Sequence, residues 1–144
     1  MNTYLPPEIR AALEITPASS ARDRTIDITT TGARSGRPHR IEIWFYRVDG
    51  AVYLSTAPAR RDWYANLLAH PRFGFHLKHG VRADLVATAS PVPDRAERER
   101  VFSSIIDDLN QPANPAGIHQ PVDPLTAWMQ GSPLLRVDFE GVAA

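Results

Sequence analysis

The fold is decided by residues 39–56, which read HRIEIWFYRVDGAVYLST. Residues 39–48 form the strongest predicted strand of the chain, because β-branched and aromatic side chains favour extended backbone. Asp49 and Gly50 tolerate the positive φ of a type I′ turn, and residues 51–56 then return as the next strand. The segment therefore predicts a β-hairpin.

The two faces of the strand over residues 39–48 differ in character. Glu42, Trp44 and Tyr46 share one face, whereas Ile43 and Phe45 take the other. One face must look into the core of the protein. An aromatic-lined pocket is one interpretation of this pattern, and ordinary core packing is the favoured one.

The rest of the chain adds strands and a few isolated helices. We predict further strands at residues 24–30, 72–78, 81–91 and 134–140, and helices at residues 7–16 and 63–70. A third helix should begin at a capping box formed by Asp94 and Glu97, and its apolar face consists of Val101, Phe102, Ile105, Ile106 and Leu109. A proline-rich loop follows at residues 110–124, and then one helical turn at residues 125–130. The order β-β-β-α-β-β-α-β with hairpin links predicts a mainly β, α+β fold, in which six antiparallel strands form a barrel flanked or plugged by the helices. Residues 1–23 would be an N-terminal helix and linker, and residues 24–144 the barrel domain.

Composition narrows the classes of function. The chain has 144 residues, no cysteine, and 16 basic residues balanced by 16 acidic ones. It therefore excludes disulfides, thiolate chemistry and cysteine-ligated zinc, and it offers no overall field to attract nucleic acid. Residues 1–10 lack the pattern of a signal peptide, and no window has the apolar length of a membrane span, so we expect the cytoplasm.

The turn over residues 32–38 is the first candidate binding element. Gly32 and Gly36 let backbone amides approach a ligand closely, and Arg34, Ser35 and Arg37 add charge and a hydroxyl. This set suits a phosphate or a carboxylate. A solvated turn that is merely basic is the alternative interpretation.

The second candidate element is the start of the helix predicted after Asp62, its expected cap. Arg60 and Arg61 stand before a helix N-terminus, where unpaired N–H groups favour anions. Trp63 and Asn66 share one helical face, so they could offer a flat surface and a polar edge to a ring system. For the aromatic residues alone, plain core packing is the favoured interpretation.

Other chemistry has less support in the sequence. His76 and His79 would point to opposite faces of one strand, and His39, His70 and His119 are scattered, so we expect no metal site. No nucleophile elbow or phosphate-binding P-loop is present. A nucleic-acid platform, with Trp63 and Tyr64 stacking on bases, is disfavoured by the neutral net charge.

Two separated motifs carry a family resemblance. Residues 28–38, ITTTGARSGRP, resemble the signature of the deazaflavin-dependent nitroreductase family of actinobacteria, which has three threonines, glycine, two basic residues, Ser or Thr, glycine, any residue and proline. Residues 62–71, DWYANLLAHP, resemble that family's Trp-Tyr-x-Asn-Leu-x-x-x-Pro element. The resemblance runs from about residue 27 to the last strand.

The resemblance implies a split β-barrel of the FMN-binding type and hydride transfer from reduced coenzyme F-420, a deazaflavin, to a quinone, nitro compound or enone. It implies cofactor-binding roles for Arg34, Ser35, Gly36, His39, Ser55, Thr56, Arg60, Arg61, Trp63 and Asn66. Arg61 or Tyr64 would protonate or polarise the acceptor, and a homodimer is expected. An FMN-dependent enzyme and a non-enzymatic carrier of flavin or deazaflavin are the alternatives.

Three departures from the family pattern accompany this resemblance. Ala33 replaces the first basic residue of the turn, and the loop over residues 57–61 is shorter than the glycine-rich loop of the family. Residues 120–130 lack the tyrosines that shape the acceptor pocket of nitro-reducing members and offer only Trp128. The identity of the hydride acceptor is therefore left open.

Overall fold

Six antiparallel strands close a barrel in the computed structural model, which describes residues 5–143. The strands are β1 (Thr25–Thr31), β2 (Pro38–Val48), β3 (Ala51–Ser55), β4 (Arg72–Leu77), β5 (Ala83–Pro91) and β6 (Leu134–Val142). Their order around the barrel is β1-β2-β3-β6-β5-β4. The predicted six-stranded antiparallel barrel is confirmed. The hairpin between β2 and β3 is confirmed as well, with φ of 51° at Asp49 and 80° at Gly50.

Within residues 5–143, five helices flank the barrel: α1 (Pro7–Leu13), α2 (Ala21–Arg24), α3 (Asp62–Ala69), α4 (Arg95–Leu109) and α5 (Leu125–Gly131). The short α2 lies in the segment predicted as linker, where Ser20 and Asp23 form a reciprocal capping box. The prediction that Asp62 caps α3 is wrong, because Asp62 is the first helical residue and Arg61 occupies the cap position without a side-chain bond.

The capping box predicted for α4 is only half formed. The side chain of Asp94 accepts a hydrogen bond from the Glu97 amide at 3.0 Å, as expected of a cap. The Glu97 carboxylate instead accepts from the hydroxyl of Tyr53 at 3.1 Å. Burial, together with this bond, raises the pKa of Tyr53. Glu97 therefore joins α4 to the barrel wall rather than closing the cap.

Both faces of β2 are used, but on different sides of the barrel wall. Phe45 is inside the barrel, where its ring lies 5.4 Å from that of Phe75 in an edge-to-face pair. Trp44 and Tyr46 lie outside, in a second apolar cluster with α4 and α5. The outer cluster also contains Trp128, which is 2% exposed. The aromatic face of β2 is thus covered by helices and not by the barrel interior.

A buried ion pair ties the N-terminal segment to the end of α4. The guanidinium of Arg24 is fully buried, 2.5 Å from a carboxylate oxygen of Asp108. It also donates to the backbone oxygens of Thr16, Pro17 and Ser19. Because the charge is both paired and hydrogen-bonded, its burial is tolerated, and removing either partner would be costly.

One stretch of β2 lacks a neighbour on one side. β1 pairs with β2 along residues 38–44, whereas β3 pairs only with residues 45–48. Among the residues that the structure describes, no strand covers the other edge of residues 38–44. We call this stretch the free edge of β2. Backbone N–H and C=O groups on such an edge are available to a ligand.

Candidate functional site

The turn between β1 and β2 is closed by its own backbone. The Gly32 amide donates to the Arg37 carbonyl at 2.8 Å, and the Gly36 amide donates to the Gly32 carbonyl at 3.0 Å. Gly36 has a φ of 68°, which favours glycine. The Ser35 hydroxyl accepts from the Arg37 amide at 3.2 Å. These bonds define the shape of the turn, whose residues 33–38 are exposed to solvent.

Gly32 lies close to the ends of two side chains. A Cβ at this position would lie 2.3 Å from Ser35 Oγ and 2.8 Å from His39 Nε2. Ser35 and His39 approach each other to 3.5 Å above the Gly32 backbone. The absence of a side chain at residue 32 is therefore what lets these two polar groups converge.

Asn66 on α3 holds the turn from below. Its Oδ1 accepts from the Ala33 amide at 2.9 Å, and its Nδ2 donates to Thr30 Oγ1 at 3.1 Å. Asn66 is 9% exposed and Thr30 is 2% exposed, so both bonds lie away from bulk water. The structure assigns Asn66 a framework role, since both ends of its amide are engaged within the protein.

A cavity of about 550 Å³ opens above this frame, and we call it the turn cavity. Of the predicted site residues it brings together Arg34, Ser35, His39, Arg60, Trp63 and Asn66; Thr30, Gly32, Ala33, Ile41, Asp62 and Ala65 complete the lining. Trp63 is only 6% exposed and packs in the barrel core, with its ring edge-to-face to Tyr64. Gly36 shapes the turn but does not line the cavity.

A second cavity of about 400 Å³ lies outside the barrel, and we call it the aromatic cavity. The predicted residues Ser55 and Thr56 line it together with Trp44, Tyr46 and Trp128. The Ser55 hydroxyl is already engaged, because it donates to the Pro133 carbonyl at 2.7 Å. Ser55 is therefore built into the barrel wall.

Two polar atoms of the aromatic cavity have no partner. Thr56 Oγ1 and Trp128 Nε1 are both buried without a hydrogen bond. Buried unpaired donors are rare in proteins, and each one calls for an explanation. Burial also raises the pKa of the Tyr46 phenol, which lines this cavity. The cavity thus combines apolar walls with two unused hydrogen-bonding groups.

The remaining predicted residues, Arg61 and Tyr64, line a third cavity of about 700 Å³. We call it the arginine cavity. Arg61 donates to the Ala57 carbonyl at 3.1 Å, while its Nε is buried and unpaired. The two residues predicted to be catalytic therefore do not line the turn cavity or the aromatic cavity.

The turn cavity and the aromatic cavity meet successive parts of the free edge of β2. His39 and Ile41 border the first, and Glu42, Ile43 and Trp44 border the second. A ligand lying along this edge would meet basic groups at one end and aromatic rings at the other. Sequence reasoning missed Thr30 and Ile41 as lining residues. The alternation along β2 placed Tyr46 on an aromatic face but did not show what covers it.

The histidines predicted to face apart on one strand are arranged differently. β4 ends at Leu77, so His79 lies beyond the strand. His76 Nδ1 lies 2.7 Å from a carboxylate oxygen of Asp84, and its Nε2 lies 2.7 Å from the Thr29 hydroxyl. These contacts cross three neighbouring strands on the outer face of the barrel.

The closed barrel of six antiparallel strands places the protein in the class of split-barrel folds. Residues 18–114 match the family model of the F420H(2)-dependent quinone reductases, and the chain belongs to this family. Its cofactor is coenzyme F-420, and the resemblance drawn from the sequence motifs is confirmed. The basic turn fits the anionic part of such a group, because Arg34, His39 and Arg60 line one cavity there.

Solved structures confirm the fold. A proposed pyridoxamine 5′-phosphate oxidase from Listeria innocua is 14% identical with a TM-score of 0.61, over 94% of both chains. A conserved hypothetical protein from Mycobacterium tuberculosis is 20% identical with a TM-score of 0.61, over 95% of this chain and 84% of the other. A proposed 5-nitroimidazole antibiotic resistance protein from Bacteroides thetaiotaomicron is 13% identical with a TM-score of 0.56, over 81% of this chain and 73% of the other.

No curated protein matches the chain. Within residues 5–143, none of the helices combines the length and the apolar character that crossing a membrane requires.

Proposed function

We propose that the protein reduces a quinone, with coenzyme F-420 bound along the free edge of β2. The observation that carries the proposal is the position of this edge between the basic turn cavity and the aromatic cavity. Reduced coenzyme F-420 supplies the hydride, as cofactors generally supply the difficult chemistry. The residues of the chain then have to bind, orient and exclude water.

The turn cavity is the proposed site of the phosphate and anionic tail. Arg34, His39 and Arg60 line it and can face anionic oxygens, while Ser35 adds a hydroxyl. Asn66 keeps the turn in place and needs no direct contact with the cofactor. The ring of the coenzyme would lie farther along β2, where the free backbone groups can pair with its polar edge.

The aromatic cavity is the proposed site of the acceptor. The Thr56 hydroxyl and the Trp128 indole N–H are unpaired donors that can bind an acceptor oxygen. A quinone offers carbonyl oxygens on a flat apolar ring, which suits walls formed by Trp44 and Tyr46. Nitro compounds and enones share the acceptor oxygen and are the further candidate substrates.

Proton donation is a separate question from hydride transfer. Arg61 and Tyr64 are candidate donors from the sequence, but they line the arginine cavity. We therefore propose that Thr56 and Trp128 polarise the acceptor, and that Arg61 and Tyr64 do so only if the acceptor also reaches their cavity. Substitution of each pair, with kcat for a quinone as the readout, separates these two assignments.

A binding titration and a turnover assay test the proposal. We expect oxidised and reduced coenzyme F-420 to bind, FMN to bind far more weakly, and menadione to oxidise the reduced coenzyme in the presence of the protein. Binding without oxidation of the reduced coenzyme would make the protein a carrier. Binding of FMN in preference to coenzyme F-420 would contradict the assignment of the cavities.

We also propose a homodimer, which is the expectation from the family resemblance. Light scattering of the purified protein measures its mass in solution, and a mass of one chain at all concentrations would contradict a dimer.

A further inference from the structure

The arginine cavity lies beside the N-terminus of α3 and is lined by three arginines. Arg60 and Arg61 precede the helix, and Arg98 reaches the cavity from α4. Arg60 also lines the turn cavity, so the two spaces adjoin at this side chain. The arginine cavity does not share lining residues with the free edge of β2.

These three guanidinium groups have no acidic partner among the residues that the structure describes. Other basic residues of the described chain, such as Arg24, Arg72 and Lys78, form ion pairs with nearby carboxylates. Among residues 5–143, no ion pair involves any of the three arginines. Asp62 is the one acidic residue among the cavity's described lining, so the wall carries a net positive charge.

Two buried polar atoms on the same wall are also unpaired. Ser132 is 5% exposed, and its hydroxyl has no hydrogen-bond partner. The Nε of Arg61 is likewise buried without a partner. A basic wall alone could be a solvated surface, but unpaired groups beneath it indicate that an acceptor is missing.

Arg98 is held in position for this role. Its guanidinium carbon lies 5.1 Å from the centre of the Phe102 ring, and one of its amino groups is 3.5 Å from the Ser132 carbonyl. The aromatic contact leaves the planar fork of the guanidinium available for bidentate binding. Arg98 therefore resembles an anion-binding arginine more than a surface charge.

We propose that the arginine cavity is an anion subsite that binds a phosphate or carboxylate group with Arg61, Arg98 and Ser132. Planar guanidinium groups and a hydroxyl match the oxygens of either anion. Two sources can provide this chemistry. One is the anionic tail of the coenzyme, which could pass Arg60 from the turn cavity, and the other is a separate anion from solution. The first source rests on the function proposed above, whereas the second does not.

Thermal shift and calorimetric titration with inorganic phosphate test the subsite on the full chain. We expect phosphate to stabilise the wild type more than chloride does at equal ionic strength. Ser132→Ala and Arg98→Gln should each weaken phosphate binding by about tenfold, the usual effect of losing one hydrogen bond to a charged group. Arg95→Gln is the matched control, because Arg95 is exposed on the first turn of α4 and does not line the cavity.

In Ser132→Ala, the direction of the change in Tm distinguishes a ligand-binding hydroxyl from a structural one. Removing a buried hydroxyl without a partner should leave the Tm of the ligand-free protein unchanged or raise it. The same change should lower the Tm measured in phosphate relative to the wild type in phosphate. Equal responses to phosphate in the wild type, S132A and R98Q would overturn the proposal.

Titration with coenzyme F-420 identifies the source of the anion. If the tail occupies the cavity, R98Q weakens binding of the whole coenzyme and leaves binding of the deazaflavin fragment without phosphate and tail unchanged. If a separate anion occupies it, R98Q weakens phosphate binding alone. A protein that binds phosphate here but no coenzyme would disprove the proposed function and still support the subsite.

Discussion

The turn cavity and the aromatic cavity lie along one strand edge but are built in opposite ways. Around the turn, Asn66 bonds to Ala33 and Thr30, and Ser35 bonds to Arg37, so the polar groups of the frame are paired within the protein. In the aromatic cavity, Thr56 and Trp128 keep buried polar atoms unpaired. The turn region is therefore a hydrogen-bonded frame that presents charge, whereas the aromatic cavity contains two buried hydrogen-bonding groups without a partner among the described residues.

Breaking the frame should have the largest effect. Asn66→Ala removes both bonds and leaves the Ala33 amide and the Thr30 hydroxyl unpaired, which should cost about 2–4 kcal/mol of unfolding free energy. Displacement of the basic turn should weaken coenzyme binding by about 10- to 100-fold, the effect of losing one hydrogen bond to a charged group. Urea unfolding and a fluorescence titration measure the two quantities.

The control for this variant is Asn110→Ala, which changes the same residue type at the exposed end of α4. It should keep the coenzyme affinity of the wild type. If N66A lost stability but bound the coenzyme as well as the wild type does, the turn would not be the site of the anionic tail.

Crowding the frame should have the next largest effect. In Gly32→Ala the new methyl group would lie 2.3 Å from Ser35 Oγ, so Ser35 and His39 have to move apart. Both side chains are exposed and can rotate away, so we expect a stability cost at the low end of the ~1–3 kcal/mol of overpacking, whereas coenzyme affinity should fall by about tenfold because Ser35 and His39 leave their places in the cavity lining. Calorimetric titration measures the loss.

A second substitution tests whether crowding is the cause. Gly32→Ala combined with Ser35→Ala removes the closest clashing atom, so the double variant should regain part of the stability lost in G32A. If the stability lost in the double variant equals the sum of the losses in the two single variants, Ser35 and Gly32 act independently.

How much of this could be predicted from the sequence differs between the two regions. The alternation and the Asp49-Gly50 turn were enough for the barrel, and the motif residues were enough to bring Arg34 and Arg60 to one cavity. The role of Asn66 as a clamp was not predictable, because its bonds span 33 and 36 residues and depend on how α3 docks. A local sequence pattern predicts on which face of a helix or strand a side chain lies, but it does not predict which distant residues the side chain contacts.

The aromatic cavity was harder to predict for a related reason. Its wall includes Gln120, Pro121 and Val122 from a proline-rich loop, whose path follows no periodic pattern. Trp128 was noticed as the only aromatic residue of residues 120–130, but its unpaired indole depends on that loop. The four-residue α2 was also missed, although Ser20 and Asp23 had the spacing of a capping box.

Removing one unpaired donor should have a smaller effect, confined to the acceptor. Trp128→Phe keeps an aromatic ring and deletes the buried Nε1, so kcat/KM for menadione should fall by about tenfold or less while coenzyme affinity stays constant. The Tm should change little, because the loss of packed ring atoms opposes the relief of an unpaired N–H. Steady-state kinetics with varied menadione measures this effect.

Trp44→Phe provides the matched control, since Trp44 lines the same cavity but its indole nitrogen is not a buried unpaired atom. We expect less than about a twofold change in kcat/KM there, as loss of a solvated donor costs little. Equal losses in both variants would show that the cavity selects its acceptor by shape and not through Trp128.

The smallest effect concerns pH and tests whether the aromatic cavity is dry. Burial raises the pKa of Tyr46 above its ordinary value of 10.0, so the folded state keeps the phenol neutral at pH values where the unfolded chain releases the proton. This contribution to stability is complete below about pH 10 and is lost as the pH rises towards the higher folded value, by about 1.4 kcal/mol per unit.

Urea unfolding above and below about pH 10, compared between the wild type and Tyr46→Phe, measures this contribution. The free energy of unfolding should decline less steeply at alkaline pH in the variant. Parallel declines in the wild type and Y46F would mean that water reaches Tyr46, and Thr56 and Trp128 would then bond to solvent rather than wait for an acceptor.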